Sequence, residues 1–151
     1  MLLHIVLSTY GPACLVEAKG VQGRPRQTVS RLLIVNDHVA LRDYLKKVIT
    51  ERFPQITVEE AGGGDEALAK IAASKPHLIF MDIGLPGENG LQLTREIKAN
   101  HPDIRIVILT GLGRHYKKAA LKSGADGFFE KGRFSLKEIF ATFDPTLPSE
   151  V

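Results

Sequence analysis

Blocks of apolar residues recur along the chain from Arg31 onward, and each block ends in polar residues. Leu32-Leu33-Ile34-Val35 is continuous and ends at Asn36-Asp37, as expected for a strand buried on both faces. Residues 56–60 alternate only weakly and are rich in β-branched side chains, which is typical of an edge strand. The remaining predicted strands are 78–81, 104–109 and 125–130. The pattern therefore predicts five strands.

Helical spacing separates these strands. Leu41, Leu45, Val48 and Ile49 recur three to four residues apart, and Pro54 follows soon after them. The same spacing predicts four more helices, at 65–74, 91–99, 116–122 and 136–143. Residues 62–64 are three glycines without the lysine and hydroxyl residue of a phosphate-binding loop, and we interpret them as an ordinary loop. Alternating strands and helices predict an α/β fold, with a parallel sheet covered by helices on both faces.

Composition and charge narrow the class of protein. The chain has 151 residues, 44% of them hydrophobic and 25% charged, which suits one globular domain with a core of its own. Its single cysteine, Cys14, excludes an intramolecular disulfide and a multi-cysteine zinc site. Because no apolar run approaches the roughly 20 residues of a membrane span, we expect no membrane segment and a cytoplasmic location.

The net charge of +3 is unevenly placed. Residues 1–31 contain four basic residues and one acidic residue, whereas residues 32–151 contain sixteen of each. A nucleic-acid-binding domain would concentrate basic charge on its folded face, so we predict no nucleic-acid partner. Residues 1–30 are predicted to be a flexible extension, residues 31–143 a domain and residues 144–151 a tail.

Polar side chains with chemical uses follow four of the predicted strands, and sites in such sheets form where the carboxyl ends of the strands meet. Asp82 can act as a nucleophile that forms an acyl phosphate, and Asp37 offers a hard oxygen ligand to Mg²⁺. Lys131 offers a positive charge, and Thr110 a hydroxyl, to phosphate oxygens. The sequence therefore predicts a phosphoryl-transfer site that requires a divalent cation.

Each of these residues also has an ordinary structural alternative. Asp82 and Thr110 suit turns, Asn36-Asp37 suits the N-cap of the following helix, and Lys131 suits a solvated position. A metal-dependent phosphohydrolase is a further alternative. It would need a second acid two residues after the nucleophile, where this chain has Gly84.

Residues 31–143 resemble the receiver domain of two-component response regulators. The motifs that carry the resemblance are Leu32 to His38, Met81 to Pro86 with Gly90, Ile108 to Gly111, and Gly124 to Lys131. The resemblance implies a flavodoxin-like, doubly wound sheet of five parallel strands in the order 2-1-3-4-5, with five helices. It implies the following site: Asp82 as phosphoacceptor, Mg²⁺ held by Asp37, Asp82 and the backbone carbonyl of Gly84, Thr110 as switch hydroxyl, and Lys131 as phosphate-binding lysine.

Three positions depart from the family pattern. Asn36 stands where an acid is usual, which implies a water-mediated contact with Mg²⁺ and a weaker affinity for it. Gly132 stands where a proline often follows the lysine. Phe128 occupies the aromatic switch position, often a tyrosine, and has no hydroxyl to settle its inward or outward orientation.

The resemblance also implies a function. The chain is expected to be a phosphorylation-dependent switch or relay that receives its phosphoryl group from a histidine kinase or phosphotransfer protein. It would catalyse its own phosphorylation and dephosphorylation without being a conventional enzyme. A downstream protein partner is expected on the face formed by the fourth helix, fifth strand and fifth helix, including Tyr116 and Lys117, and a phosphorylation-linked homodimer is open.

Two alternatives to this function stay open. Asn36 favours a pseudo-receiver that binds a partner without phosphorylation. The chain is otherwise expected to be a stand-alone receiver, since only residues 144–151 follow the last predicted helix, or a fragment of a longer transcriptional regulator.

Overall fold

The protein is a five-stranded parallel sheet between two layers of helices, in a computed structural model that describes residues 28–143. The predicted tail and most of the predicted extension lie outside these residues. The strands are β1 (Arg31–Val35), β2 (Thr57–Ala61), β3 (Leu78–Met81), β4 (Arg105–Thr110) and β5 (Gly127–Glu130). Their order is β2-β1-β3-β4-β5, and every neighbouring pair is parallel. The expected fold, order and edge position of β2 are confirmed.

In the described part of the chain, five α-helices connect and cover the strands. They are α1 (Val39–Arg52), α2 (Gly64–Ala73), α3 (Gly90–Asn100), α4 (Lys117–Lys122) and α5 (Leu136–Ala141), with a 3₁₀ turn at Arg114–Tyr116 before α4. Most element boundaries differ from the sequence prediction by one or two residues, and two of these differences affect packing. Gly64 belongs to α2 and not to a loop, and α5 ends before Phe143, although that side chain is buried against Phe53 and Phe80.

Two hydrophobic clusters cover the two faces of the sheet. In β1, Leu33 and Val35 face the cluster packed by α2, α3 and α4, whereas Leu32 and Ile34 face the cluster packed by α1 and α5. Successive strand residues point to opposite faces, so the continuous apolar runs follow directly from burial on both sides. Val29 is also buried, which places part of the core before the predicted domain boundary at residue 31.

A short antiparallel hairpin that the sequence pattern did not predict follows β3. Gly84–Leu85 pairs with Glu88–Asn89, and the chain then enters α3 directly. Gly87 has a φ of +70°, a conformation that glycine adopts without strain and that suits the position after a proline in a tight turn. Pro86-Gly87 is therefore a turn signal.

Within residues 28–143, no helix is long and apolar enough to cross a membrane.

Candidate functional site

Asp82 lies immediately beyond β3, at the carboxyl edge of the sheet. Its backbone N–H donates to the carbonyl of Val35 at 2.9 Å, which continues the pairing of β1 and β3 by one residue. The residue is only 6% exposed. Asp82 is thus a nearly buried acid beside the end of β1, where the topology of the sheet changes direction.

Lys131 is brought to Asp82 as the sequence predicted. Its Nζ lies 3.1 Å from Asp82 Oδ2, and the side chains of the two residues are 26% and 8% exposed. The Lys131 N–H donates to the carbonyl of Thr110 at 2.7 Å, which fixes the start of the lysine side chain beside the end of β4. Lys131 is therefore a cation held in place beside Asp82. It is not the solvated surface lysine that was the alternative interpretation of the sequence.

Thr110 is the last residue of β4 and is fully buried. Its hydroxyl accepts a hydrogen bond from the Leu112 N–H at 3.2 Å. The turn that was an alternative for this residue is therefore present. It places the hydroxyl at the same edge of the sheet as Asp82 and Lys131.

Asn36 and Asp37 follow β1 but do not cap α1 with their side chains. The N-cap residue of α1 is His38, without a side-chain capping bond. Asn36 is 2% exposed, and its Oδ1 accepts from the His38 N–H at 2.8 Å, so the amide holds the turn before the helix. Asp37 is exposed at this edge, with its carboxylate available to a ligand from solution.

Arg42 joins the site on the β2 side, which sequence reasoning missed. Its Nη1 donates to the Asn36 carbonyl at 2.6 Å, and its Nε lies 3.5 Å from Glu60 Oε1. Nearby, Glu66 accepts from the Gly62 N–H at 2.9 Å. This hydrogen bond, with help from Lys70, holds the pKa of Glu66 below its ordinary value of 4.5. Arg42 lies one helical turn into α1, and the residues around it in the sequence do not indicate that its side chain contacts the Asn36 carbonyl.

The donors at the edge fit a magnesium ion that arrives with other ligands. Mg²⁺ in proteins typically uses one or two carboxylates together with waters and phosphate oxygens, and Asp37 and Asp82 follow neighbouring strands. Among residues 28–143 there is no group of three or more His, Cys, Asp or Glu side chains that would hold a metal ion by itself. Asn36 contributes no charge, and its Oδ1 already accepts from the His38 N–H.

The structure shows the local environment of two residues that depart from the family pattern, Gly132 and Phe128. Gly132 has a φ of +84°, which a proline ring fixed near −65° cannot adopt, so this backbone excludes proline and favours glycine. Phe128 is half-buried and packs with Tyr116 and Ala119 against the cluster under α4. Phe128 thus belongs to β5, one of the three elements on which the resemblance implies a partner.

Gly90 is essential to the geometry around Asp82 for a steric reason. A Cβ on Gly90 would overlap the backbone carbonyl of Asp82 and crowd Ile83 Cα. The Gly90 N–H donates to the Ile83 carbonyl at 2.9 Å, and Asn89 caps α3 by accepting from the Leu91 N–H at 2.8 Å. Asparagine before a helical pattern is a readable N-cap signal, so the start of α3 was predictable one residue earlier.

A doubly wound sheet with two aspartates, a threonine and a lysine at its carboxyl edge defines a receiver-type signalling domain. The profile of the response regulator receiver domain matches residues 32–144, and the chain belongs to this family.

Known relatives agree with this assignment. The response regulator GacA of Pseudomonas protegens is 33% identical over 103 residues, which cover 68% of this chain and 48% of GacA. The chemotaxis protein CheY of Halobacterium salinarum is 34% identical over 102 residues, which cover 67% of this chain and 83% of CheY. The chain thus spans about half the length of relatives such as GacA.

A solved structure shows the same fold. A response regulator protein from Burkholderia pseudomallei, crystallised with a phosphorylated aspartic acid, a calcium ion and citrate, superposes with a TM-score of 0.68 at 28% identity. The match covers 76% of this chain and 66% of that one.

Proposed function

We propose that this chain is a phosphorylation-dependent signalling switch or relay, with Asp82 as phosphoacceptor and a histidine kinase or phosphotransfer protein as donor. The observation that carries the proposal is the nearly buried Asp82 carboxylate with Lys131 Nζ at 3.1 Å. A carboxylate of this kind has a fixed direction of attack and a cation ready beside it. The phosphorylated aspartic acid of the Burkholderia pseudomallei relative supports the assignment.

In the proposed reaction, a carboxylate oxygen of Asp82 attacks the phosphorus of a phosphohistidine. The new O–P bond forms as the N–P bond breaks, and the leaving imidazole takes up a proton, which yields an acyl phosphate and neutral histidine. Lys131 exchanges its carboxylate oxygen for a phosphoryl oxygen, and the Thr110 hydroxyl donates to another.

The same site would hold Mg²⁺ through Asp37, Asp82 and the backbone carbonyl of Gly84. The ion would supply positive charge that offsets the repulsion between the carboxylates and the incoming phosphoryl group. Once phosphorylated, Asp82 carries close to two negative charges, which favours the arrangement in which Thr110 and Lys131 approach the phosphate. This population shift is proposed to reach a protein partner, or a second copy, through Phe128 and the face of α4, β5 and α5.

A second candidate is a pseudo-receiver that binds its partner without phosphorylation. Asn36 favours it, because this position supplies no carboxylate and its side-chain oxygen already serves the backbone. The retained Asp37, Asp82, Thr110 and Lys131 favour the phosphorylated switch.

Intact-mass measurement after incubation with acetyl phosphate and Mg²⁺ distinguishes the two candidates. We expect the parent chain to gain one phosphate, the Asp82→Asn variant to gain none, and removal of Mg²⁺ with EDTA to prevent the gain. Asp65→Asn, at an exposed position in the first turn of α2, is the matched control and should behave as the parent. A folded parent that gains no phosphate would support the pseudo-receiver.

A further inference from the structure

The hairpin that follows Asp82 is held firmly at its base. The Asp82 N–H donates to the Val35 carbonyl, the Gly90 N–H donates to the Ile83 carbonyl, and Asn89 caps α3. The tip has a different anchor. Glu88 Oε2 accepts a hydrogen bond from the Gly64 N–H at 2.7 Å, although the two residues are 24 positions apart.

The Glu88 carboxylate takes the place of an N-cap side chain at the start of α2. Its N-cap residue is Gly63, which has no side chain to satisfy the N–H groups of the first turn. Glu88 accepts from the Gly64 N–H and adds negative charge where the helix dipole is positive. A Cβ on Gly64 would overlap the Glu88 carboxylate, so glycine at this position permits the approach.

The register of the hairpin connects Glu88 to the metal side of the site. Glu88 lies opposite Leu85, and Gly84 lies opposite Asn89. The Leu85 side chain is buried in the cluster beneath α2 and α3. One strand of the hairpin is therefore fixed to the core by Leu85 and the other to α2 by Glu88, and Gly84 is the immediate neighbour of the first anchor.

We propose that Glu88 is a positioning residue for the Mg²⁺ site. By tying the tip of the hairpin to the first turn of α2, it fixes the direction of the Gly84 carbonyl that would bind the ion. The proposal rests on the proposed function, since that function assigns the carbonyl to Mg²⁺. The proposal goes beyond that function in one respect: the Glu88–Gly64 contact should strengthen Mg²⁺ binding, and bound Mg²⁺ should equally stabilise the contact.

The first test is the Mg²⁺ dependence of phosphoryl uptake from acetyl phosphate in the full chain. Glu88→Ala should raise the Mg²⁺ concentration for half-maximal rate by roughly tenfold, the lower end of the effect of outer-shell partners, with the rate at saturating Mg²⁺ near that of the parent. Glu88→Gln, which keeps an oxygen acceptor, should restore part of the affinity. Glu96→Ala removes an exposed carboxylate from α3 and should leave the dependence unchanged.

The second test follows the reciprocal effect without using phosphorylation. Hydrogen exchange at the Gly64 amide should slow when Mg²⁺ is added to the parent, and should be fast and independent of Mg²⁺ in Glu88→Ala. The proposal is overturned when Glu88→Ala and Glu96→Ala share one Mg²⁺ dependence, or when Mg²⁺ leaves Gly64 exchange in the parent unchanged. A parent that takes up no phosphate contradicts the proposed function instead, and the Gly64 measurement then decides the role of Glu88.

Discussion

Lys131 Nζ lies 3.1 Å from Asp82 Oδ2 although the strands that carry the two residues are not neighbours. The lysine follows β5 and reaches over the end of β4 to the acid that follows β3. The cation is therefore in place before any phosphoryl group arrives. In the proposed reaction Lys131 would exchange the free carboxylate for a phosphoryl oxygen, and it would thereby couple the state of Asp82 to β5.

Replacement of Lys131 should leave phosphoryl uptake by Asp82 in place and abolish the structural changes that phosphorylation causes. In Lys131→Ala we expect Asp82 still to accept a phosphate, since the nucleophile and the carboxylate of Asp37 remain. The phosphorylation-dependent changes near Thr110 and Phe128 should be lost, because a charge-assisted hydrogen bond of about 1.5–3 kcal/mol no longer favours the switched arrangement. Intact mass and NMR spectra of the phosphorylated protein measure the two effects. Lys47→Ala, an exposed position on α1, is the control, and unchanged spectral shifts in phosphorylated Lys131→Ala would contradict the role.

The Thr110 hydroxyl should matter more to switching than to stability. Thr110→Val keeps the buried shape but removes the acceptor used by the Leu112 N–H. Because Leu112 is exposed, we expect water to replace the lost acceptor and the free energy of unfolding to fall by only about 1 kcal/mol. Phosphoryl uptake should continue while the response of Phe128 is lost. Thr110→Ser retains the hydroxyl and should keep the response; a full response in Thr110→Val would show that the hydroxyl is dispensable.

The fold was predictable because its three central strands are buried on both faces. Continuous apolar runs such as Leu32–Val35 and Leu78–Met81 mark central strands of a parallel sheet, and the polar residues after them mark the carboxyl edge. The contact between Asp82 and Lys131, which are 49 positions apart in the sequence, follows from that topology. Local patterns therefore fixed the identity of the elements and the principal residues of the site.

Contacts made by side chains across elements were not predictable in this way. Arg42 and Glu88 look like exposed charges on a helix and a turn, and their partners are a carbonyl after β1 and an amide of α2. Nothing in their immediate sequence encodes these distances. The loop interpretation of Gly64 is wrong for the same reason, because the acceptor for the first N–H of this helix comes from residue 88.

Asn36→Asp restores an acid beside the proposed metal position. The new carboxylate can keep the bond from the His38 N–H and adds negative charge near Asp37 and Asp82. With Mg²⁺ we expect a gain of roughly 1 kcal/mol or more in binding free energy, as for an added unit charge a few ångströms from a cation in a hydrated site. Without Mg²⁺ the same charge should lower the stability of the fold through repulsion.

Calorimetric Mg²⁺ titration and urea unfolding with and without the ion measure both effects of Asn36→Asp. Asn36→Ala, which removes the turn bond without adding charge, separates the contribution of the carboxylate. An Mg²⁺ affinity equal to that of the parent would show that position 36 does not sense the ion.

Gly84, the first residue of the hairpin, and Gly90, which directly follows the hairpin, should differ strongly in their tolerance of alanine. A Cβ at Gly90 overlaps the Asp82 carbonyl, whereas a Cβ at Gly84 meets nothing within 4 Å. Gly90→Ala should therefore lower the free energy of unfolding by about 2–3 kcal/mol, within the range of overpacking, and slow phosphoryl uptake by displacing Asp82. Gly84→Ala should change stability by less than about 0.5 kcal/mol. Urea unfolding of the two variants makes the comparison directly, and equal stabilities would mean that α3 does not need to approach Asp82 so closely.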